Sequence, residues 1–382
     1  MFEKDAKEAG MKQCAVSSIG IVIHDFKFGG AERIAIRLAN YWAEHGFAVT
    51  VFCASLVGEM RSLLSDRIRV VCASPSLSRR YGSMYRLGRL ARGYFGSHPV
   101  DFCYIPGNYH WFVTHELARL PLPRRPVLVT QISSLIYKPG RSRFAQALFN
   151  LRMRYLLKKS DLVVAMDQQS AQESNALLQR ADTVVIPLPA LEEKSVPPTP
   201  PPSTLSVLAA GRLTEQKGFD VLIKAFAQVL RSLPQAQLTI CGEGEDRSAL
   251  EQLVQEHKLE KSVQLVGYVD NIRPYLDQNA IFVLSSRREG YGAVLLEALE
   301  AGRYVVTTDC TPAVHDIFYD GVCGTVVPPN NPQALADGLV QALRKKPDIT
   351  HLVEARVARF RINVGAQMYI TAVENKMKAG RV

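Results

Sequence analysis

No stretch of this chain comes near the roughly 18 consecutive apolar residues that a membrane-spanning helix needs, although 47% of its 382 residues are hydrophobic. A spanning helix is excluded, and the apolar residues are left to build ordinary cores. The opening Met1-Phe-Glu-Lys-Asp-Ala-Lys-Glu-Ala-Gly is charged where a signal peptide would carry an apolar core. The seven cysteines (14, 53, 72, 103, 241, 310 and 323) form no Cys-x-x-Cys pair. Most fall in apolar runs, where a free thiol is a small filler. An odd number scattered in this way excludes a disulfide framework and points to a reducing cytoplasm. Zinc-ligand spacing is absent, and so is any Asp-x-Asp, so no metal site is expected.

What is present is charge of one sign in one half. Residues 1–195 hold 26 Lys and Arg against 16 Asp and Glu, whereas residues 196–382 hold 20 of each. The formal excess of +10 therefore belongs wholly to the first half. It gathers at Arg79, Arg80, Arg86, Arg89 and Arg92, then at Lys138, Arg141, Arg143, Arg152, Arg154, Lys158 and Lys159, with aromatic and leucine residues between. Basic amphipathic helices rest on anionic membrane surfaces, and the plainer alternative is a solvated basic face over a sheet. No nucleic-acid motif accompanies the charge, so nucleic acid is not an expected partner. The expected location is cytoplasmic, with the chain peripheral on the inner face of the plasma membrane.

Short apolar runs alternate with helical stretches along nearly the whole length. Runs at 19–24, 48–53, 68–72, 101–105, 127–131, 162–165 and 183–186 read as strands, and a second series follows at 205–210, 237–241, 263–266, 281–284, 304–308 and 325–327. Buried apolar strands alternating with helices predict α/β architecture with parallel, doubly wound sheets. A Pro-rich stretch at 192–204 separates the two series. The spacing therefore predicts one domain over 1–191 (with 1–18 a loose tail), a linker over 192–204 and a second domain over 205–362. A terminal helix over 363–382, with Tyr369, Ile370 and Val373 on one face, could pack back on the first domain. Tandem domains of this kind bind ligands at the carboxyl ends of their strands, in the cleft between them.

The chemistry concentrates in the second series. In Glu289-Gly-Tyr-Gly-Ala-Val-Leu-Leu-Glu297 two carboxylates flank a strand-to-helix turn. The amides of Tyr291, Gly292, Ala293 and Val294 fall at the helix start, a natural anion site with Gly290 beside it. Upstream, Gly211-Arg212-Leu-Thr-Glu-Gln-Lys217-Gly218 places two cations in one loop after a strand. A lysine is unfavourable at a helix N-terminus unless an anionic ligand offsets the cost. A phosphate site edged by carboxylates suits a nucleotide sugar, whose hydroxyls and diphosphate need both. In the first series, Gly29-Gly30-Ala31-Glu32 would let a backbone approach a ligand. The turn at 267–271, with Val269, could cradle a base through its backbone. His24 and His110 stand near strand ends.

Taken together these segments resemble the family 4 glycosyltransferases, retaining enzymes of the GT-B fold, in which two Rossmann-like doubly wound domains face each other across a cleft. The resemblance covers roughly residues 19–377 and is strongest over 211–302. Glu289 and Glu297 resemble the family's E-x7-E motif, residues 211–218 its phosphate-binding loop, and residues 29–33 its N-terminal Gly-Gly turn. The resemblance implies that Glu297 bonds the ribose, that Glu289 bonds donor-sugar hydroxyls and that Arg212 and Lys217 hold the diphosphate. It implies catalysis by Arg212, Lys217 and Glu289 without metal or other cofactor, the donor being a UDP- or GDP-linked sugar. The acceptor it implies is a glycan or lipid-linked precursor of a cell-surface polysaccharide such as lipopolysaccharide, held by the first domain. His24, Gln131 and Ser133 are candidates for the acceptor side.

The chain departs from the family pattern in places. Gln131-Ile-Ser-Ser134 stands where many members have a histidine near the donor phosphate. Ala313, Val314 and Asp316 replace a usual Gly, Pro and Glu, and Pro187 follows the last strand of the first series. Two other readings stay open on sequence alone. One is an idle module that binds nucleotide or glycan without turnover. The other is a GT-B enzyme of another reaction, such as a sugar-nucleotide epimerase or a phosphorylase.

Overall fold

A computed structural model describes residues 16–133 and 142–380. Cys14, Ser134, Lys138 and Arg141 lie outside the described residues, as does the tail up to residue 15. The chain divides into two units, the first made of residues up to Ile186 together with Gly365 onward, the second of Pro187–Val364.

Among the described residues of the first unit, strands β1 (Ser18–Ile23), β2 (Ala48–Cys53), β3 (Arg69–Cys72), β4 (Phe102–Ile105), β5 (Val127–Gln131), β6 (Leu162–Ala165) and β7 (Val184–Val185) form one parallel sheet in the order β3-β2-β1-β4-β5-β6-β7. Its helices are α1 (Gly30–Glu44), α2 (Ser83–Ser97), α3 (Trp111–Leu117), α4 (Arg143–Leu157) and α5 (Gln168–Leu178). The central strands β4, β5 and β6 are buried along their whole length, which is why β4 and β6 read as unbroken apolar runs and β5 breaks only at Thr130 and Gln131. The chain leaves β1 toward β2 and β3, then returns to the other side of β1 as β4. The carboxyl ends of β1 and β4 thus flank the switch point of the sheet.

The second unit repeats the plan. Strands β8 (Ser206–Ala210), β9 (Gln237–Cys241), β10 (Val263–Gly267), β11 (Ile281–Leu284), β12 (Tyr304–Thr308) and β13 (Gly324–Val327) pair in parallel in the order β10-β9-β8-β11-β12-β13. Helices α6 (Phe219–Ser232), α7 (Arg247–Glu256), α8 (Arg273–Gln278), α9 (Ala293–Glu300), α10 (Ala313–Ile317), α11 (Pro332–Lys345) and α12 (Val353–Val357) lie between and after them. Here β8 and β11 flank the switch point. Every run predicted as a strand forms one, with ends shifted by about a residue.

A last helix, α13 (Ile362–Lys378), belongs to the first unit from Gly365 onward. It buries Tyr369, Ile370 and Val373 there. The Trp42 ring meets Phe102 edge-on at 5.6 Å and Tyr369 edge-on at 6.1 Å, and its indole N–H donates to the Ala366 carbonyl at 3.4 Å. Edge-to-face aromatic packing of this kind adds about 0.5–1.5 kcal/mol per pair beyond the area buried.

The Pro-rich segment counts with the second unit rather than standing apart from it. Prolines carry no N–H, so the segment cannot satisfy its own carbonyls, and these need donors from elsewhere. Cationic side chains supply them. Arg361 Nη1 donates to the Glu192 carbonyl at 3.2 Å, and Arg273 Nη2 to the Pro197 carbonyl at 2.5 Å. Arg303 donates to the Thr199 carbonyl and, at 2.8 Å, to its hydroxyl, while Lys346 donates to the Ser203 carbonyl. Arg303 is fully buried among carbonyls and hydroxyls, and that burial lowers its pKa.

Candidate active site

At the switch point of the second unit, the loops that follow β8, β9 and β10 continue the ladder beyond the strands. Gly211 N donates to Cys241 O at 3.0 Å, Leu213 N to Glu243 O at 2.9 Å and Gly242 N to Gly267 O at 2.7 Å. Gly242 is forced by this stacking, since a Cβ there would lie 1.9 Å from the Gly211 carbonyl oxygen. Gly218 is forced twice over: its φ is +63°, and a Cβ would lie 2.3 Å from the Ser285 carbonyl oxygen. The loop of residues 211–218 is therefore pressed against the end of β11.

That pressing brings Lys217 to Glu289. Lys217 Nζ lies 2.6 Å from Glu289 Oε1, and the Ser286 hydroxyl donates to the same oxygen at 2.6 Å. The lysine stem crosses Gly211, where a Cβ would come within 3.3 Å of Lys217 Cε. Glu289 is fixed from behind as well, its amide donating to the Cys310 carbonyl at 2.9 Å. Thr311 Oγ1 donates to the Gly290 carbonyl at 3.2 Å. Arg287 turns aside to a two-pronged pair with Asp220, both contacts at 2.8 Å. It thereby ties the end of β11 to the first turn of α6.

Two residues past Gly290, α9 begins on Gly292 in the left-handed region (φ 86°), with no side-chain cap. The first-turn amides of Ala293 and Val294 thus have no side-chain acceptor, and both residues are half-buried. Tyr291 is buried with its ring 6.2 Å from that of Phe360. Glu297 stands one turn into α9 and is half-buried. Arg212 is exposed at the end of β8, where its side chain pairs with no carboxylate among the described residues. Val269 follows β10 and is half-buried. The structure thus brings Lys217 and Glu289 into contact and leaves the Arg212 guanidinium open.

At the switch point of the first unit a buried polar network occupies the ends of β1 and β4. His24 Nδ1 lies 3.0 Å from Asp25 Oδ2, and His24 Nε2 lies 3.2 Å from Ser83 Oγ. Arg79 grips Asp25 with two contacts, 2.6 and 2.8 Å, and reaches Glu32 Oε1 at 3.2 Å. His110 Nδ1 donates to the Pro106 carbonyl at 2.6 Å, which leaves Nε2 to accept the His24 amide at 3.2 Å. Burial lowers the His110 pKa to about 4. Burial lowers that of His24 as well, against the opposing pull of Asp25. Asp25 also ionises below its ordinary range: burial works against the charge, but Arg79 and the Lys27 amide hold it in place.

Several expectations change here. His24 and Gln131 are buried, His24 between Asp25 and Ser83, and Gln131 with its side-chain oxygen accepting the Tyr104 hydroxyl and its carbonyl accepting Trp111 Nε1 at 2.9 Å. Both side chains direct polar atoms to neighbours within the first unit. Ser133 is half-buried and paired with Asn108, whose side-chain oxygen accepts the Ser133 amide at 2.9 Å. Gly29 has extended backbone, and a Cβ there would lie 2.2 Å from Glu32 Oε2, so that carboxylate would have to shift. Gly30 has open space before it. Arg79 and Arg92 are paired with carboxylates rather than free on the basic surface, Arg79 with Asp25 and Glu32, Arg92 with Glu116 at 3.0 Å. Asp25, Arg79 and Ser286 do not stand out as site residues in the sequence, and Glu32 does so only as part of the Gly-Gly turn. The nearest signal was position, Asp25 and Ser286 each standing within two residues of a strand end.

Comparison with known proteins agrees with this architecture. The family model for glycosyltransferase family 4 matches residues 28–190, and that for glycosyl transferases group 1 matches residues 190–358. An uncharacterised glycosyltransferase of Methanocaldococcus jannaschii is 30% identical over 180 residues, 44% of each chain. A diphospho-undecaprenol-linked N-acetylgalactosaminyltransferase of Campylobacter jejuni is 33% identical over 133 residues, 35% of this chain and 36% of that protein. The chain thus spans less than half the length of these curated relatives. The crystal structure of Anabaena HepE with UDP and glucose superimposes with a TM-score of 0.74 at 20% identity, covering 94% of this chain and all of that one. With two family models that meet at residue 190 and run between them from 28 to 358, over two sheets of this strand order, the chain belongs to the family 4 glycosyltransferases of the GT-B fold.

Proposed function

We propose that the protein transfers a hexose, with retention of configuration, from a UDP- or GDP-linked sugar to a lipid-linked precursor of a cell-surface polysaccharide. The observation that carries the donor side is the 2.6 Å contact of Lys217 with Glu289 beside the uncapped start of α9. An ammonium with three donors can hold that carboxylate and a phosphate at once. Lys217 and Arg212 take the diphosphate, with the amides of Tyr291 to Val294 and Gly290 behind it. Glu289 binds hydroxyls of the sugar, Glu297 the ribose, and the backbone near Val269 the base. The likeness to a protein crystallised with UDP and glucose supports this donor class. A relative whose name gives a diphospho-undecaprenol acceptor supports the acceptor class.

In the step itself the bond from the anomeric carbon to the phosphate oxygen breaks, and a bond from the acceptor oxygen to that carbon forms. The acceptor proton passes to the departing diphosphate. Negative charge grows on the diphosphate as the bond opens, and fixed cations with a helix start stabilise it where it develops. The cations already carry positive charge to the diphosphate, so the proposal calls for no metal. Gly30, Ser133 and the network around His24 belong to the unit that would hold the acceptor. Gln131 and His24 would shape that surface from beneath.

A thermal-shift series with UDP, GDP, ADP and their sugars tests the reading, because a ligand stabilises in proportion to its affinity. UDP or GDP should raise the unfolding temperature of the wild type. Glu297→Ala should keep the unliganded value and bind the nucleotide at least tenfold more weakly, the order expected for one hydrogen-bonded carboxylate lost. An undiminished shift in Glu297→Ala would remove that residue from the ribose. Slow release of free sugar from the preferred donor separates an enzyme from an idle binding module.

A further inference from the structure

We infer that the outer face of α4 is a docking surface for an anionic lipid bilayer. The helix is apolar on two opposite sides. Met153, Leu156 and Leu157 are buried in the core of the first unit. Phe144, Leu148, Leu151 and Tyr155 point the other way, 80%, 60%, 66% and 55% exposed. Their spacing of four, three and four residues holds them within an arc of about 60° at about 100° per residue. A solvated helix has no use for four large apolar side chains in line, and such a patch marks an interaction site.

The charges beside the stripe say what covers it. Arg143, Arg152, Arg154, Lys158 and Lys159 are all exposed, and residues 142–160 contain no Asp or Glu. Arg152 and Arg154 leave the helix on either flank of the stripe, where an interfacial helix carries its basic residues. Arg152 also lies 4.8 Å from the Phe112 ring centroid, and Phe112 lies 4.5 Å from the ring of Tyr85, so the face continues onto α3 and α2. Tyr155 is braced by His115, whose Nε2 lies 3.1 Å from the tyrosine hydroxyl. The helix start is fixed by Ser142, which caps the Ala145 amide at 3.2 Å. A second copy of the chain is a poor occupant. A symmetric contact through this stripe would set one row of cations against its own image, with no acidic group on the helix to answer it. A surface of acidic lipid headgroups answers both the charge and the apolar row. None of the described helices is long and apolar enough to cross a membrane, so the contact is with the surface.

The inference deepens the proposed reaction and rests on it for its purpose, since a lipid-linked acceptor waits at such a surface. Its test does not depend on that reading. Co-sedimentation of the full chain with phosphatidylglycerol-containing vesicles should show binding that weakens with salt, and phosphatidylcholine vesicles should show none. Phe144→Ser, Leu148→Ser and Leu151→Ser combined should abolish vesicle binding while leaving the unfolding temperature and the nucleotide-induced shift as in wild type. Arg152→Gln and Arg154→Gln should each weaken binding roughly fivefold, the effect of one basic residue near an anionic surface. Equal binding to neutral vesicles, full binding by the serine variant, or no vesicle binding at all would overturn the inference. A vesicle-free dimer that the serine variant dissolves would assign the stripe to a second copy instead. Failure of the donor reading would appear separately, as a missing nucleotide shift in the absence of vesicles.

Discussion

Lys217→Met is expected to slow sugar transfer by roughly two to three orders of magnitude, about 3–4 kcal/mol of lost transition-state stabilisation. The ammonium stands 2.6 Å from Glu289 at the end of β11, where charge on a departing diphosphate would grow. In the proposed reaction it would act most strongly on that charge and least on the ground state, so kcat should fall further than KM rises. The substitution also strips a largely buried carboxylate of its cation, leaving Glu289 only the Ser286 hydroxyl of these two partners. Some loss of stability is therefore expected alongside the loss of rate. The double variant Lys217→Met with Glu289→Gln separates the two effects. It removes the orphaned charge and should recover stability without recovering turnover. Lys217→Arg should rescue poorly, because a planar fork cannot follow the lysine stem across Gly211. Turnover within tenfold of wild type for Lys217→Met would remove the residue from the transition state.

The first unit should lose stability on mild acidification, and His110 should account for much of the loss. Burial holds His110 neutral down to about pH 4 against an ordinary value of 6.5, with Nε2 taken by the His24 amide and against the opposing pulls of Glu32 and the Pro106 carbonyl. Between these values the unfolded chain takes up a proton that the folded chain refuses. Stability is therefore full above pH 6.5 and falls as the pH drops toward 4. The span of about 2.5 units corresponds to an order of 3 kcal/mol. His24, also lowered by burial, adds to the loss in the same direction. Denaturant midpoints measured across this range should fall steeply for wild type and more gently for His110→Gln. Equal slopes in the two proteins would show that the histidine does not govern the response.

The sheets were legible in the sequence because a parallel strand covered on both faces reads as an apolar run, as β4, β6 and β11 do. The turns proposed to hold the donor were legible as turns for a related reason. Gly211, Gly218 and Gly292 mark turns where backbone meets backbone or φ is left-handed, and Lys217 and Glu289 stand beside them at fixed intervals. The first unit's network was not legible, because its members come from separate elements. Arg79 joins Asp25, 54 residues away, to Glu32, 47 residues away, and nothing along the chain marks that meeting. His24 at a strand end reads as a group facing a ligand until Ser83, 59 residues on, closes over it. The helix α4 shows the limit of periodicity. Both of its faces are apolar in the sequence, and only packing decides which one the core takes.

The strapping of residues 192–204 bears on how the second half of the chain can be cut out and handled alone. A fragment beginning at 205 would drop the carbonyls that Arg273, Arg303 and Lys346 hold, and the Glu192 carbonyl that Arg361 holds. Arg303, otherwise sealed from water, would keep only the Asn279 and Ala301 carbonyls of those it now holds. A fragment beginning at Pro187 carries the strap along, so the isolated half should be started there, ahead of the prolines.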